Sequence, residues 1–184
     1  MNEFMDVRKI DLKTVSIEIM SSKHDISSFT SYEQDLVAFL KEDALKHQEQ
    51  NLSVTFLWFY QQRLVSYLTL LTDKIQVQGK LQTQFKNRGI NYYSLPALKI
   101  GRLCVDDNFR KKGMGRHMVE FAVKIANKIN KEMAGCRFLT VDAKRNKDTT
   151  RDSFGFYQKV HFEPLKFGKD TTLMCMDTKL FSLP

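Results

Sequence analysis

The chain has no apolar run approaching the roughly 18 to 20 residues needed to cross a bilayer as a helix. Its N-terminus, Met1-Asn2-Glu3-Phe4-Met5-Asp6, lacks the charged-then-apolar layout of a secretory signal. Both absences favour a cytoplasmic protein without a membrane partner. Cysteine is scarce: Cys104, Cys136 and Cys175 are odd in number, far apart and set among apolar residues. That pattern suits reduced core thiols and implies no disulfide framework. Histidine is equally sparse, and His24, His47, His117 and His161 show no ligand spacing with one another or with the cysteines, which argues against a metal site. No repeat or low-complexity segment occurs.

At 184 residues the chain is long enough for one domain with a sizeable core and too short for two ordinary ones. A single domain covering residues 1–184, with its core at about 14–180, is expected. The formal net charge is +8, and it is uneven. Residues 1–100 carry 12 basic and 11 acidic side chains, whereas residues 101–184 carry 17 and 10. The excess in the second half suits a partner that brings phosphates, or solubility alone.

Hydrophobic periodicity supplies the coarse layout. Thr14 to Met20 alternates and reads as a first strand. A helix follows, with Ser31 as N-cap, Gln34 completing a capping box, and Leu36, Val37, Leu40 and Ala44 on its apolar side; it should end near His47. Val54 to Tyr60 and Leu64 to Leu71 are β-rich runs flanking Gln61-Gln62-Arg63, which suggests a hairpin even without an Asn-Gly or Asp-Gly turn. Asp73 to Pro96 is polar and weakly periodic, and reads as a long loop that could wall a substrate site. Leu98 to Val105 is a fourth strand, Gly113 to about Met133 a helix, Arg137 to Asp142 a fifth strand, Arg151 to Lys159 a short helix, and Thr171 to Lys179 a final strand.

The richest local signal is the stretch Arg110-Lys111-Lys112-Gly113-Met114-Gly115-Arg116, a basic turn that leaves an apolar strand and opens the long helix. A helix start offers N–H groups without intrahelical partners and a positive dipole end, so anions settle there. Gly113 and Gly115 carry no Cβ, which lets a phosphate approach the main chain and lets either residue take φ > 0. Downstream, Met114, Met118, Phe121, Ala122, Ile125 and Ile129 recur at three- and four-residue spacings, as on a helix packed against a sheet. The turn is not a P-loop, which needs Gly-Lys-Ser/Thr at the helix start. It is not a dinucleotide fingerprint either, because Met118 stands where the third glycine or alanine would be. A basic loop with two glycines and no ligand is the plain alternative.

Leu98 to Val105, the glycine turn, and Phe154-Gly155-Phe156-Tyr157-Gln158-Lys159-Val160-His161-Phe162 together resemble the acetyl-CoA signature of the GNAT N-acetyltransferase superfamily. His161 occupies the position where that motif usually has glycine. Phe29 to Leu40, Asn51 to Leu57 and Leu95 to Val105 further resemble the GNAT branch that contains aminoacyl-tRNA-acetylating toxins. The resemblance implies an α/β fold: a mixed, mostly antiparallel central sheet, splayed between strands four and five and flanked by helices. It implies acetyl-CoA as cofactor, with Leu103, Cys104 and Val105 holding the pantetheine arm like an added strand. Arg110, Lys111, Lys112, Gly113, Met114, Gly115 and Arg116 would then seat the pyrophosphate. It also implies Tyr157 as the acid that protonates the departing thiolate, a task its reference pKa of about 10 suits. A backbone N–H near Leu103 or Cys104 would stabilise the oxyanion, and Ser153, one turn before Tyr157, could line the cofactor or simply start the helix.

Cys104 could suggest a covalent nucleophile, but no histidine or carboxylate is placed by sequence to activate it, so it reads as a core thiol. Strand four carries no acid before Asp106, and Asp106 and Asp107 read as a solvated turn. Glu18 and Asp142 remain as candidate bases, each also readable as structural. An α-amine, with a pKa of about 7.7 to 8.0 against about 10.4 for lysine, is partly neutral without a strong base. The expected reaction is therefore acetyl transfer to a primary amine, a small molecule or peptide α-amine, by direct attack. One alternative is aminoacyl-tRNA as acceptor, with Lys144, Arg145, Lys147, Arg151, Lys166 and Lys169 bracketing the tyrosine motif. Another is a non-catalytic acyl-CoA-binding domain. The sequence leaves the acceptor, any antitoxin partner and the oligomeric state, a homodimer included, open.

Overall fold

A computed structural model describes residues 10–148 and 152–180. Seven strands form one mixed sheet in the order β1-β2-β3-β4-β5-β7-β6. They are β1 (Ser16–Ile19), β2 (Val54–Tyr60), β3 (Arg63–Gln76), β4 (Ser94–Val105), β5 (Phe138–Lys144), β6 (Glu163–Phe167) and β7 (Thr171–Asp177). Strands β4 and β5 run parallel, while β1 with β2, β2 with β3, β5 with β7, and β6 with β7 are antiparallel. The helices are α1 (Gln34–Ala38), α2 (Ala44–Glu49), α3 (Gly79–Lys86), α4 (Met114–Glu132) and α5 (Phe154–Lys159), with a π-helical turn, Phe39–Asp43, joining α1 to α2. The α/β architecture with its mixed, mostly antiparallel sheet is as the resemblance implies.

By contact density the chain divides into two compact units. The first holds the residues up to Leu70 together with Arg102–Val119. Its core gathers Phe29, Leu40, Ala44, Leu57, Leu64, Tyr67 and Cys104. Leu40 and Ala44 are buried, and Leu36 and Val37 pack against them, so the apolar side expected of this helix is the side that meets the core. Its start differs from the capping-box reading. The helix begins at Gln34 with Glu33 as N-cap, and Ser31 instead accepts from Glu33 N while its carbonyl accepts from the Gln34 amide. The β2–β3 hairpin forms across Gln61 and Gln62, at φ 49° and 64°. Two left-handed residues define a type I′ turn, which matches strand twist whatever residues supply it.

The second unit holds Leu71–Gly101 and the residues from Glu120 onward. Here the supposed long loop is ordered. β3 continues to Gln76, α3 follows, and β4 already begins at Ser94. Phe85 and Leu81 of α3 pack with Ile75, Val77, Leu95, Ala97 and Phe138, an apolar set spread over four elements and therefore invisible as a local period. The strand β6 was not expected. It contains Pro164 and lies at the edge of the sheet, where a missing N–H is tolerated. The final strand ends at Asp177, and Thr178–Leu180 form a 3₁₀ turn.

The buried residues of α4 are Met114, Met118, Val119, Ala122, Val123 and Ala126. Phe121, Ile125 and Ile129 are only half-buried, so the buried stripe is rotated by about one position from the one read off the largest side chains.

Candidate functional site

The basic turn is built on a carboxylate. Asp106 has an exposure of 0% and accepts four hydrogen bonds: from Thr30 N and Oγ1 at 3.0 and 3.2 Å, and from Asn108 N and Nδ2 at 3.0 and 2.9 Å. Arg63 approaches it at 3.7 Å. This overturns the reading of Asp106 as a solvated turn residue. Asp106 fixes the short 3₁₀ turn Asp107–Phe109 to the Thr30 segment 76 residues away in sequence, and Asp107 N donates to Thr30 O. Asp107 itself is exposed and lies 3.9 Å from Arg110.

The cations of the turn are partly held in place before any ligand arrives. The Arg110 guanidinium lies over the Tyr32 ring at 4.1 Å and donates to its hydroxyl at 3.1 Å. Lys112 Nζ donates to Asn108 O at 3.0 Å and sits 5.5 Å above the Phe109 ring. Lys111 and Arg116 are exposed, and Lys111 is left-handed at φ 58°. Gly113 has φ +87°, the conformation only glycine adopts easily, whereas Gly115 lies inside α4 at an ordinary helical position. The first rung of the helix is His117 N to Gly113 O at 3.1 Å. The N–H groups of Met114, Gly115 and Arg116 precede that rung and lack intrahelical acceptors. A turn with projecting N–H groups, no Cβ at two positions and four cations fits a pyrophosphate.

In β4, Cys104 is buried in the core of the first unit, and Leu103 and Val105 are half-buried. Burial pushes the Cys104 thiol up to about 11, against a smaller opposing effect of its hydrogen bond from Ser31. A neutral thiol in an apolar core is no nucleophile. The recorded parallel register of β4 with β5 runs from Ala97↔Phe138 to Ile100↔Val141, and β4 continues for five residues beyond it.

Tyr157 belongs to the second unit. It is 6% exposed on the short helix α5, with its ring edge-on to Phe156 at 5.0 Å and to Phe162 at 5.3 Å. Burial holds its phenol well above the usual tyrosine range, so the side chain keeps its proton throughout neutral and mildly alkaline pH. Its carbonyl accepts from Phe162 N at 2.9 Å, closing a turn in which His161 is left-handed at φ 71°. That is the position where the resembling motif usually has glycine, and the backbone here keeps the glycine geometry. Ser153 is the N-cap residue of α5 and donates to Lys144 O at 3.2 Å.

Both carboxylates considered as bases are engaged. His24 Nδ1 accepts from Ser21 N, which leaves Nε2 as the donor to Glu18 at 3.0 Å. Lys99 Nζ meets Asp142 at 2.7 Å. In the basic loop, Arg145 pairs with Asp152 at 3.2 Å and lies 4.4 Å over Phe154, while Lys147, Lys166 and Lys169 are exposed. Arg151 lies outside the described residues. Among the described residues there is no cluster of three or more His, Cys, Asp or Glu able to hold a metal, and no helix long and apolar enough to cross a membrane.

Residues 72–164 match the family model described as an acetyltransferase (GNAT) domain, which is half of the chain. The chain belongs to the GNAT acetyltransferase family. Membership makes it an acyltransferase with acetyl-CoA as donor, and the pyrophosphate fit of its glycine turn agrees. No curated protein matches the sequence. Among solved structures, this GNAT chain resembles a tyrosine-to-phenylalanine mutant of KacT, with 24% identity, a TM-score of 0.77, and coverage of 91% of this chain and 96% of that one. It also resembles AtaT complexed with acetyl-methionyl-tRNA, at 21% identity and TM-score 0.74 over 90% and 96% of the two chains. AtaTR bound with acetyl-CoA is similar at 22% identity and TM-score 0.73, over 92% and 96%. At these identities the likeness is one of fold.

Proposed function

We propose that this chain, as a single catalytic domain with its core at about 14–180, transfers the acetyl group of acetyl-CoA to a weakly basic primary amine by direct attack. The observation that carries this reading is the glycine turn braced by Asp106, with Gly113 left-handed and the N–H groups at the start of α4 clear of the helix ladder. Acetyl-CoA supplies an acetyl group activated as a thioester. Arg110, Lys111, Lys112 and Arg116 neutralise its phosphates, and the main chain of Gly113, Met114 and Gly115 approaches them. The backbone of Leu103 to Val105, beyond the parallel register with β5, lines the pantetheine arm, and an N–H near Leu103 or Cys104 stabilises the oxyanion. Tyr157 holds the proton for the departing thiolate. Because Glu18 is hydrogen-bonded to His24 and Asp142 is ion-paired with Lys99, an acceptor that is already partly neutral at physiological pH, an α-amine, fits best. The cytoplasm, where acetyl-CoA is made and consumed, is the matching compartment.

A second reading, aminoacyl-tRNA as the α-amine carrier, is supported by the structural likeness to AtaT complexed with acetyl-methionyl-tRNA and by the exposed Lys147, Lys166 and Lys169. The test is transfer of label from acetyl-CoA into a panel of aminoacylated tRNA, polyamines, aminoglycosides, and peptides with free or blocked N-termini. Label in peptides with free N-termini or in aminoacyl-tRNA, and none in blocked peptides, is expected. Efficient labelling of lysine side chains without preference for α-amines would overturn the α-amine assignment.

A further inference from the structure

The segment from Lys74 to Val105 contains six basic residues, Lys74, Lys80, Lys86, Arg88, Lys99 and Arg102, and not one Asp or Glu. Its middle part, α3 and the loop to β4, holds an arrangement that the transfer chemistry does not use. Tyr92 and Tyr93 stand 71% and 86% exposed, among the described residues the largest exposures of bulky apolar side chains apart from Leu180 at 75%. Their loop is pinned and not loose: Val77 N donates to Tyr93 O at 2.9 Å, and Ile90 N and Arg88 N both donate to Phe85 O at 3.0 Å. Two rings are therefore held out in water by a fixed backbone. Beside them lies a cavity of about 230 Å³ whose lining includes Gln82, Lys86, Ile90, Asn91 and both tyrosines. Lys86 lines it and is exposed, Lys80 and Arg88 on the same segment are exposed as well, with Arg88 5.8 Å over the Phe85 ring, and no carboxylate pairs with any of the three among the described residues.

Unpaired cations without neighbouring acids call for an anionic partner. Exposed aromatic faces call for flat rings, and the side-chain amides of Gln82 and Asn91 can read donor and acceptor edges. Unpaired nucleotides have all three properties, since single-stranded RNA is held by stacking, by contacts to base edges and by phosphate neutralisation. An acidic polypeptide would satisfy the cations and leave the rings idle. We propose that residues 80–93 form a surface for single-stranded RNA, with Tyr92 and Tyr93 stacking on bases and Lys80, Lys86 and Arg88 on phosphates. This rests on the aminoacyl-tRNA reading, because the nucleic acid that presents a primary α-amine at an unpaired end is an aminoacylated RNA.

The experiment is fluorescence anisotropy of a 5′-labelled single-stranded RNA of about 12 nucleotides, matching the several-nucleotide reach of such grooves. Titrations with the full chain are run over a range of salt, and acetylation of a free-N-terminus peptide is measured in parallel. Tyr92→Ala with Tyr93→Ala should weaken binding at least about ten-fold. Lys80→Gln, Lys86→Gln and Arg88→Gln together should flatten the dependence of log affinity on log salt by about two, at roughly 0.7 per phosphate contact. Peptide acetylation should be unchanged in both variants. Unmoved RNA binding, loss only on Lys166→Gln with Lys169→Gln, or a polyglutamate peptide that binds as tightly and is lost in the same variants would overturn the surface. If RNA binding depends on Tyr92 and Tyr93 but aminoacyl-tRNA takes up no label, the surface stands and the acceptor assignment fails.

Discussion

The glycine turn and the tyrosine segment both carry several basic side chains, yet they are specified in opposite ways. The turn depends on a polar residue from a distant part of the chain. Asp106 is buried and spends its two oxygens on Thr30 and Asn108, while Arg110 leans on Tyr32. The tyrosine segment depends on neighbours in its own sequence: Phe156 and Phe162 flank Tyr157, and Arg145 is tied to Asp152. Long-range polar bracing holds the shape of a backbone cradle that must keep its N–H groups pointing outward. Local apolar packing instead sets the protonation state of one phenol. The first arrangement should fail by losing geometry, the second by losing chemistry.

The largest effect is expected from Tyr157→Phe. If the phenol protonates the thiolate, turnover should fall by about 10²- to 10⁴-fold with acetyl-CoA affinity nearly intact. Single-turnover kinetics beside calorimetric titration of acetyl-CoA would measure both, and unchanged turnover would make the hydroxyl dispensable. Because burial raises the phenol pKa, the wild-type rate should climb with pH to about 8 as the α-amine loses its proton, then stay level to about pH 10. A falling limb between pH 8 and 10 would show that another group supplies the proton.

Asp106→Ala should come next. It strands buried donors and removes a charge facing Arg63, which costs about 3–5 kcal/mol of stability, read by urea unfolding. A loss below about 1 kcal/mol would mean that the carboxylate does not hold the turn, and the contrast between the two regions would collapse.

Paired glycine variants sharpen the contrast further. Gly113→Ala forces a Cβ into a left-handed conformation and should cost about 1–2 kcal/mol. Gly115→Ala, at a helical position, should gain up to about 1 kcal/mol in stability while weakening acetyl-CoA binding if the proposed pyrophosphate seat is right, because the new methyl would obstruct it. Equal effects from both would refute the separation of backbone conformation from close approach.

The smallest effect concerns His161. Replacing it with glycine removes the left-handed strain of about 1–2 kcal/mol but adds unfolded-chain entropy of about 0.5–1 kcal/mol. A net gain of up to about 1 kcal/mol by thermal unfolding is expected, with turnover unchanged.

What was legible in the sequence follows the same division. The strands β1, β2 and β5, the glycine turn, α4 and the Tyr157 helix carry their signals locally, and the structure has all of them within a few residues of the expected bounds. The type I′ hairpin at Gln61-Gln62 was visible from its flanking strands and not from its turn residues. Asp106 was misread because Thr30 and Arg63, which neutralise and bond it, are far away in sequence. The order between Asp73 and Pro96 was missed for a related reason, since Phe85 finds Phe138 across more than fifty residues. The edge strand β6 was hidden by Pro164 and by a register shift between Pro164 and Lys166.

The π-helical turn at Phe39–Asp43 has a bearing on descent. A π turn is one surplus residue absorbed inside a helix, the helical counterpart of a bulge in a strand. Residues before and after it therefore keep step with a regular helix only if one position is skipped. Related chains that lack the insertion will align with Gln34–Ala38 and with Ala44–Glu49 in two different frames. A gap placed anywhere else in the helix would put Leu40 or Ala44, both buried in the core here, out of step with the aligned helix.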